Sequence, residues 1–422
     1  DVLGSRGLGD VYKRQIKQLW SPVQIMNTSI DKQFDGKFSV ENRYDYLNLN
    51  TCRFLWKQVK FPLATDASNA AVQVLKEGEV QGSDVAAHSA GVLDIRTNIL
   101  ADTDALYLTA IDKYGHELWR WTFPVNKLNQ QTEQLSPLSS RPTYTETEND
   151  LTVKANKRTF IFSKKDGQLK GVSVDNRKIN FANGPRFIGA RRADRSLDQF
   201  YNHDDEKAKE KDRTYSEFPD AAVFTKLDVK EDGGNLVVTA NYKLGNLDKA
   251  QWTINPSGDL ALDYTYNFSG VVDLMGIRFD YPEDQVISKR WLGAGPYRVW
   301  QNRIHGTQYD VWENDYNDPI PGETFTYPEF KGYFGDVSWM NIQTKEGTIS
   351  LTNETPDTYI GVYQPRDGRD RLLYTLPESG ISVLNVIPPV RNKVNSTDLC
   401  GPSSQPKWVN GPQTGRVIFR FM

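Results

Sequence analysis

Cysteine is scarce in this chain. Only Cys52 and Cys400 occur among 422 residues, and they lie far apart in the sequence. Two distant cysteines provide no disulfide framework of the kind that small secreted domains use. We therefore predict that both thiols are small hydrophobic groups rather than a redox pair or a metal site.

The chain also lacks long apolar runs and an excess of basic charge. No apolar stretch approaches the ~20 residues that a membrane-spanning helix requires. Lysine and arginine total 51 against 54 acidic residues, which gives a formal net charge of −3. The sequence therefore predicts neither a nucleic-acid partner nor a membrane helix.

Helical periodicity is rare, whereas residues that favour strands are common. The chain contains 20 tyrosines, 19 phenylalanines and 10 tryptophans, and aromatic residues are enriched in strands. Long stretches with apolar residues every three or four positions are hard to find. The composition predicts an all-β protein of roughly two to three domains.

The first residues call for separate treatment. Residues 5–15, Ser-Arg-Gly-Leu-Gly-Asp-Val-Tyr-Lys-Arg-Gln, resemble the in-frame translation of an adapter used to prepare sequencing libraries. A foreign segment must be set aside before the fold is considered. We expect residues 1–15 to be such an artefact and the native sequence to begin near Ile16, inside a longer gene. The alternative is an ordinary flexible N-terminus, and either way this start gives no information about the compartment.

Residues 16–125 have the pattern of a small β-sandwich. Phe38, Val40, Tyr44 and Tyr46 fall on one face if the chain alternates with period two. Further short strand patterns follow, and they are interrupted by Gly78, Gly82 and Gly91. This spacing predicts an immunoglobulin-like fold of about seven strands.

A polar segment separates this domain from a larger one. Residues 126–149 include Pro137 and Pro142, which predict an extended linker. In the domain that follows, residues 260–268 alternate between apolar and polar types, which is typical of a sheet with one face on a core. We predict two large antiparallel sheets packed face to face over residues 150–422.

One stretch of the larger domain concentrates glycine, aromatic and cationic residues. Residues 291–303 read Trp-Leu-Gly-Ala-Gly-Pro-Tyr-Arg-Val-Trp-Gln-Asn-Arg, and a strand that ends at Trp291 before the glycines and the proline predicts a tight turn. Its indoles and guanidiniums belong to Trp291, Trp300, Arg298 and Arg303. Such groups could form a platform for a polyhydroxylated ligand. The alternative is a packed turn whose tryptophans belong to the core.

This stretch resembles a signature of bacterial β-galactosidases of glycoside hydrolase family 2, Trp-x-Gly-x-Gly-Pro-x-x-x-Tyr-x-x-Arg. Arg298 stands where a glutamate is usual, and Trp300 takes an aromatic position. The residues that match are Trp291, Gly293, Gly295, Pro296 and Arg303. Residues 20–44 also resemble the entry to the sandwich that follows the catalytic barrel in the family. The resemblance implies an immunoglobulin-like domain followed by a galactose-mutarotase-like supersandwich.

The resemblance implies that the catalytic groups lie elsewhere. Retaining glycosidases need two carboxyl groups about 5–5.5 Å apart, and in the resembled family both are glutamates of a β/α barrel. From Ile16 onward the sequence shows no alternation of strands and helices that would build a barrel. We expect no catalytic residue, metal or cofactor in this chain. A longer parent enzyme would carry the barrel, could bind a metal ion there, and could form a homo-oligomer.

The resemblance also implies a sugar-contacting loop before the last strand. In the family this loop usually reads Gly-x-Asp-Ser-Trp, and its tryptophan stacks on galactose. The matching residues, 401–405, read Gly-Pro-Ser-Ser-Gln. Gln405 therefore replaces the tryptophan, unless the loop shifts and Trp408 takes that place. A glutamine offers donors and an acceptor instead of a ring, so we expect a β-linked glycan other than simple lactose.

Other functions remain open on the sequence. A non-catalytic carbohydrate-binding protein, or a scaffold that holds an oligomer together, could use the same fold. Mutarotase activity would need a histidine and a glutamate that converge on one sugar. His305 with Glu323 or Glu329 supplies the residue types, although no local motif holds such a pair together.

Overall fold

The computed structural model describes residues 8–125, 140–192, 215–316, 332–363, 376–389 and 401–422. Within these ranges one helix, α1 (Leu8–Leu19), precedes 27 strands, and the ladders between named strands are antiparallel. The predicted all-β fold class is confirmed. No helix in the described ranges is long and apolar enough to cross a membrane.

The chain divides into two compact units. The small unit contains Asp1–Thr132, Leu292–Pro296 and His305–Trp312. The large unit contains the intervening and following segments, Glu133–Trp291, Tyr297–Ile304 and Glu313–Met422. The chain therefore leaves the large unit and returns to it twice around the stretch 291–303.

Seven strands of the small unit form a sandwich of two sheets. One sheet has the order β1-β2-β5 and the other the order β4-β3-β6-β7, which is the arrangement of an immunoglobulin-like fold. The strands are β1 (Val23–Ile25), β2 (Lys37–Asn42), β3 (Arg53–Lys60), β4 (Gln73–Gln81), β5 (Ser89–Asp94), β6 (Ala105–Ile111) and β7 (Glu117–Pro124). A 3₁₀ turn, Leu49–Thr51, precedes β3.

The predicted alternation of apolar residues in the small unit ends where the strand β2 ends. Phe38 is fully buried, with its ring centre 5.0 Å from that of Phe123. β2 ends at Asn42, whose buried side-chain amide donates to backbone carbonyls beyond the strand. The chain turns there, and Tyr46 is 94% exposed. The prediction that Tyr46 shares the core face is therefore wrong, because the strand stops before the period reaches it.

The predicted role of cysteine is confirmed for Cys52. This residue is fully buried, and its sulfur lies 3.8 Å from the hydroxyl of Tyr44. Burial is the largest effect on the thiol and raises its pKa, so Cys52 stays a neutral thiol at neutral pH. Cys400 lies outside the described residues.

A buried carboxylate holds the segment His305–Trp312 in the small unit. Asp310 is 9% exposed, and it accepts hydrogen bonds from the guanidinium of Arg120 and the hydroxyl of Tyr107, both at 2.7 Å. The guanidinium carbon also lies 4.6 Å from the centre of the Tyr107 ring. Burial, followed by the charge of Asp310, raises the pKa of Tyr107, so that this tyrosine remains a donor.

The helix α1 belongs to the same unit. Residues 8–15, which the sequence assigns to an adapter, lie within it. The Arg14 side chain donates to the Gly306 carbonyl at 3.1 Å and to the Gln308 side chain at 2.9 Å. The origin of residues 1–15 stays a prediction.

The large unit contains two extended sheets. One has the order β22-β25-β26-β19-β13-β11-β10-β9-β8, with β12 paired to β11 and β14 to β13. Its strands are β8 (Thr143–Glu146), β9 (Asp150–Ala155), β10 (Arg158–Ser163), β11 (Leu169–Val174), β12 (Arg177–Ile179), β13 (Ala182–Arg192), β14 (Tyr215–Glu217), β19 (Leu274–Asp280), β22 (Phe334–Gly335), β25 (Tyr359–Gly361) and β26 (Ile381–Val386). The strand β8 lies inside the stretch predicted as linker and pairs with β9; the structure describes no linker residue before residue 140.

The second sheet has the order β15-β16-β17-β18-β27-β24-β23-β20-β21. Its strands are β15 (Val223–Asp232), β16 (Asn235–Lys243), β17 (Leu247–Ile254), β18 (Leu260–Val272), β20 (Val286–Gly295), β21 (Gln308–Asp315), β23 (Trp339–Thr344), β24 (Gly347–Asn353) and β27 (Lys407–Phe421). The strands β20 and β21 also supply residues to the small unit. Two 3₁₀ turns, Glu283–Gln285 and Pro402–Ser404, accompany this sheet.

Aromatic side chains from both sheets meet in one core. The ring centre of Phe279, on β19, lies 5.3 Å from that of Phe419 on β27 and 6.0 Å from that of Trp252 on β17. Phe181 stacks on Phe279 at 4.7 Å. The predicted alternation in residues 260–268 is confirmed, because its apolar members face this core. Val417, Phe419 and Phe421 of the last strand are buried as well. The sheets are therefore packed face to face.

The Asp310 interactions give a test of how the small unit is held together. Asp310→Ala removes the acceptor of the buried Tyr107 hydroxyl and one of two acceptors of the half-buried Arg120, which also bonds to Gln308. We expect a loss of about 1–3 kcal/mol in the free energy of unfolding. Urea unfolding followed by tryptophan fluorescence measures the change. The control is Glu79→Ala, which breaks an exposed ion pair with Arg53 and should cost less than about 1 kcal/mol. Equal losses in both variants would contradict this account.

Candidate functional site

The glycines of the stretch 291–303 continue a strand and do not form the predicted turn directly after Trp291. The strand β20 runs to Gly295, and the Gly295–Pro296 peptide bond that follows is cis. A Cβ on Gly295 would lie 2.4 Å from the ring of Trp312. The Trp312 indole nitrogen in turn donates to the carbonyl of Gly293 at 3.2 Å. Glycine is therefore needed at 295 because an indole packs against the backbone.

The two indoles of the stretch lie in the core. Trp291 is fully buried and meets Phe334 edge to face with 4.9 Å between ring centres. Trp300 is 1% exposed and meets Tyr333 edge to face at 5.7 Å. Neither ring has a face open to solvent, so the packed alternative describes them and the open platform does not.

The two guanidiniums differ in their surroundings. Arg298 is 2% exposed, and its guanidinium carbon lies 5.0 Å from the ring centre of Tyr363. Lys289 approaches the same ring, with its ammonium nitrogen 5.1 Å from the centre. Arg303 is half-buried, and its backbone nitrogen donates to the Trp300 carbonyl at 2.8 Å, which closes a tight turn. Arg298 is thus an interior residue in this structure and is not placed to meet a glycan.

This tight turn holds the segment before the last strand, residues 401–406, which we call the terminal loop. The Gln301 side-chain nitrogen donates to the carbonyls of Ser403 and Gln405 at 2.9 and 2.7 Å. The Asn302 side-chain nitrogen donates to the Ser404 hydroxyl at 3.2 Å. An amide nitrogen has two donors, and Gln301 uses both on one loop. The structure therefore joins two segments that lie about a hundred positions apart in the sequence.

Trp408 follows the terminal loop on a projecting pair of strands. In this sheet β17 pairs with β18 up to Tyr266, and β24 pairs with β27 only from Val417 onward. Residues 267–272 and 407–412 extend past both neighbours as a two-stranded ribbon. Trp408 lies opposite Val271 on this ribbon and is 70% exposed. Of the aromatic residues predicted to contact a glycan, Trp408 is open to solvent and Trp300 is not.

The histidine considered for mutarotase chemistry lies within the described residues, but its two candidate glutamate partners do not. His305 is exposed and belongs to the small unit. Glu323 and Glu329 lie outside the described residues. In the part of the chain that the structure describes, no group of three or more His, Cys, Asp or Glu side chains is arranged to hold a metal ion.

The fold and this site define an all-β protein with a large two-sheet sandwich whose last strand carries an exposed indole beside a fixed loop. The sequence profile described as β-galactosidase small chain matches residues 154–386, more than half of the chain. The chain belongs to the β-galactosidase small chain family. The predicted resemblance to these enzymes is confirmed by this match, which does not include the immunoglobulin-like sandwich.

Solved structures that resemble part of this chain share little of its sequence. Galactose 1-epimerase from Lactobacillus acidophilus NCFM is 10% identical with a TM-score of 0.37, over 67% of this chain and 99% of that protein. YeaD from Salmonella typhimurium, assigned as a mutarotase, is 10% identical with a TM-score of 0.30, over 68% and 95%. No curated protein matches the chain.

The close approach at Gly295 predicts a large cost for a single methyl group. Gly295→Ala drives a Cβ into the Trp312 ring, and we expect the free energy of unfolding to fall by about 1–3 kcal/mol. Gly171→Ala is the matched control, because a Cβ at this strand glycine meets nothing within 4 Å. The control should be neutral or slightly stabilising. Urea unfolding compares the two, and a tolerated Gly295→Ala would refute the packing argument.

The Gln301 hydrogen bonds predict a local effect on the terminal loop. Gln301→Ala leaves the carbonyls of Ser403 and Gln405 without these donors. We therefore expect the free energy required to open the terminal loop locally to fall by about 1–3 kcal/mol. The amides of Ser404 and Gln405, which close the 3₁₀ turn, should then exchange hydrogen about tenfold faster or more. Asn302→Ala removes one bond instead of two and should have the smaller effect. Unchanged exchange in Gln301→Ala would contradict the proposed restraint.

Proposed function

We propose that this chain is the non-barrel, C-terminal part of a bacterial β-galactosidase-like glycoside hydrolase. In this proposal the terminal loop and Trp408 contact a β-linked glycan and complete the active site of a catalytic barrel carried elsewhere in the protein. Membership of the β-galactosidase small chain family supports the reaction class. The glycan, the barrel and the completed site are inferences of this proposal.

The observation that carries the proposal is an exposed indole beside a restrained loop. Trp408 is 70% exposed although large aromatic side chains are usually well buried. Sugars present C–H faces that pack on aromatic rings, and an indole held on paired strands loses little entropy on binding. The Gln301 bonds keep the neighbouring loop in one conformation. This arrangement favours contact with a ligand over a role in the core.

Gln405 supplies the second contact in this proposal. Its backbone is fixed by Gln301 and by its own hydrogen bond to the Pro402 carbonyl at 3.2 Å. A glutamine side chain can donate two hydrogen bonds and accept others. It therefore suits a ligand with hydroxyl groups in the position that a stacking ring occupies in the resembled family. This difference is the basis for expecting a glycan other than simple lactose.

The same proposal assigns no hydrolysis to this chain by itself. The described residues form antiparallel sheets and one helix, whereas a β/α barrel needs parallel strands that alternate with helices. The two carboxyl groups of the reaction would come from that barrel. Neither a metal nor a cofactor is assigned to this chain.

Substitutions in the enzyme with its barrel test the glycan contact. Trp408→Ala should lower kcat/KM for the glycan about fivefold to twentyfold, because it removes an apolar contact surface. Gln405→Ala should lower it about tenfold through lost hydrogen bonds. Tyr114→Ala is the control, since Tyr114 is an equally exposed aromatic residue (72%) of the small unit. Unchanged kinetics in both site variants would refute the proposal.

The alternative is a carbohydrate-binding or scaffold protein that acts without catalysis. The exposure of Trp408 favours binding over a purely structural role in this proposal, because an open aromatic face can pack on a sugar. Titration of the chain alone with galacto-oligosaccharides separates these functions. Saturable binding that Trp408→Ala abolishes, in a protein whose gene encodes no barrel, would establish the binding alternative.

A further inference from the structure

A cavity of about 380 Å³ lies in the large unit where β24 leaves the edge of β27. The last paired residues of these strands are Asn353 and Val417, and beyond them Glu354 and Thr355 bond to the Arg416 backbone. The wall on the other side is formed by β18 and β17, which supply Asp263 and Lys249. A volume of this size falls within the range of small-molecule sites.

The charged groups of the cavity satisfy one another. The Arg416 guanidinium bonds to the Asp263 carboxylate, and its Nε lies 2.9 Å from a Glu354 carboxylate oxygen. Burial lowers the pKa of Arg416, but the bonds and charges of Asp263 and Glu354 outweigh it and raise that pKa. Because the guanidinium already bonds to two carboxylates, it offers no free fork for an anionic ligand. Lys249 balances the remaining charge, so the lining suits a neutral ligand.

The same carboxylates retain acceptors for a ligand. An ionised carboxyl group has about four lone-pair positions, and Arg416 occupies only some of those on Asp263 and Glu354. The side chain of Thr414, which is exposed on β27, adds a hydroxyl group to the lining. Paired carboxylates and hydroxyls are complementary to the hydroxyl groups of a sugar.

A buried tyrosine supplies an independent indication of a ligand. Tyr264 lines the cavity and is 2% exposed, yet its hydroxyl has no hydrogen-bond partner of good geometry among the described residues. Burial, the largest effect, raises the pKa of Tyr264, and a poorly aligned hydrogen bond with the Thr355 side chain lowers it. A Cβ on Gly415 would lie 2.2 Å from the Tyr264 hydroxyl oxygen, so glycine at this position gives the hydroxyl its place. Buried hydroxyls usually have well-aligned partners, and a ligand hydroxyl would provide a better-aligned one than Thr355.

We propose that this cavity binds one neutral hexose-sized sugar unit, separately from the terminal loop and Trp408. Thr414 and Trp408 are six positions apart on β27, which corresponds to about 20 Å along a strand. Both side chains lie on the exposed face of that strand, where the even-numbered residues alternate with less exposed ones. The cavity is thus a second sugar site of the large unit. It does not depend on the function proposed for Trp408.

The test is titration of the full chain with D-galactose, followed by NMR. The unsubstituted protein should bind galactose with a Kd on the order of 1 mM. Glu354→Gln should weaken binding about tenfold, because it replaces a charged acceptor. Thr414→Tyr should abolish binding by filling the cavity, and it leaves the Arg416 ion pairs in place. Because Thr414 is exposed on a strand, tyrosine is compatible with folding there.

Two further variants show whether galactose binds in this cavity or at Trp408. Asp228→Asn is the control for loss of a carboxylate, because Asp228 pairs with Lys226 in an exposed position on β15; its Kd should stay within about twofold. Trp408→Ala removes any galactose contact at the ribbon, and the binding that Thr414→Tyr abolishes should persist in this variant. Loss of binding in Trp408→Ala with retention in Thr414→Tyr would overturn the proposal. So would absence of saturable binding in the unsubstituted protein, or tighter binding of galacturonate than of galactose.

Discussion

The placement of the terminal loop depends on the side-chain amide of one residue, Gln301. Its two N–H donors bind the carbonyls of Ser403 and Gln405 from a site that is 8% exposed. Since another placement of the loop would break both of these hydrogen bonds, this arrangement favours a single loop conformation. The loop in turn leads directly into Trp408 on β27. The glycan contact proposed for Trp408 is thereby tied to the interior of the sandwich.

The stretch 291–303 supports the terminal loop through these hydrogen bonds. Trp291 and Trp300 are core rings, and Gly295 permits the indole of Trp312 to lie against the backbone. The Trp300–Arg303 turn presents Gln301 to the loop. The residues of this stretch are therefore structural, while the proposed ligand contacts belong to the half-buried Gln405 and the exposed Trp408.

Period-two alternation made the fold class predictable, because a sheet with one buried face imposes that pattern on each strand. The alternation in residues 260–268 appears in the structure as β18, with its apolar face on the core. The Gln301 bonds were not predictable, because side-chain hydrogen bonds to a distant loop leave no periodic trace. Composition also could not decide whether Trp300 was open or buried, since indoles serve both purposes. The strand β8 was missed for a related reason: all four of its residues are exposed, so they show no apolar face.

A double-mutant cycle between Gln301 and Trp408 tests most directly whether the buried turn positions the glycan contact. It compares kcat/KM for a galacto-oligosaccharide in Gln301→Ala, Trp408→Ala and the double variant, each in the enzyme with its barrel attached. The account predicts a coupling energy of about 0.5 kcal/mol or more, because Trp408 contributes less once the loop before it is released. Effects that add within about 0.3 kcal/mol would mean that the two residues act independently. That result would contradict the account.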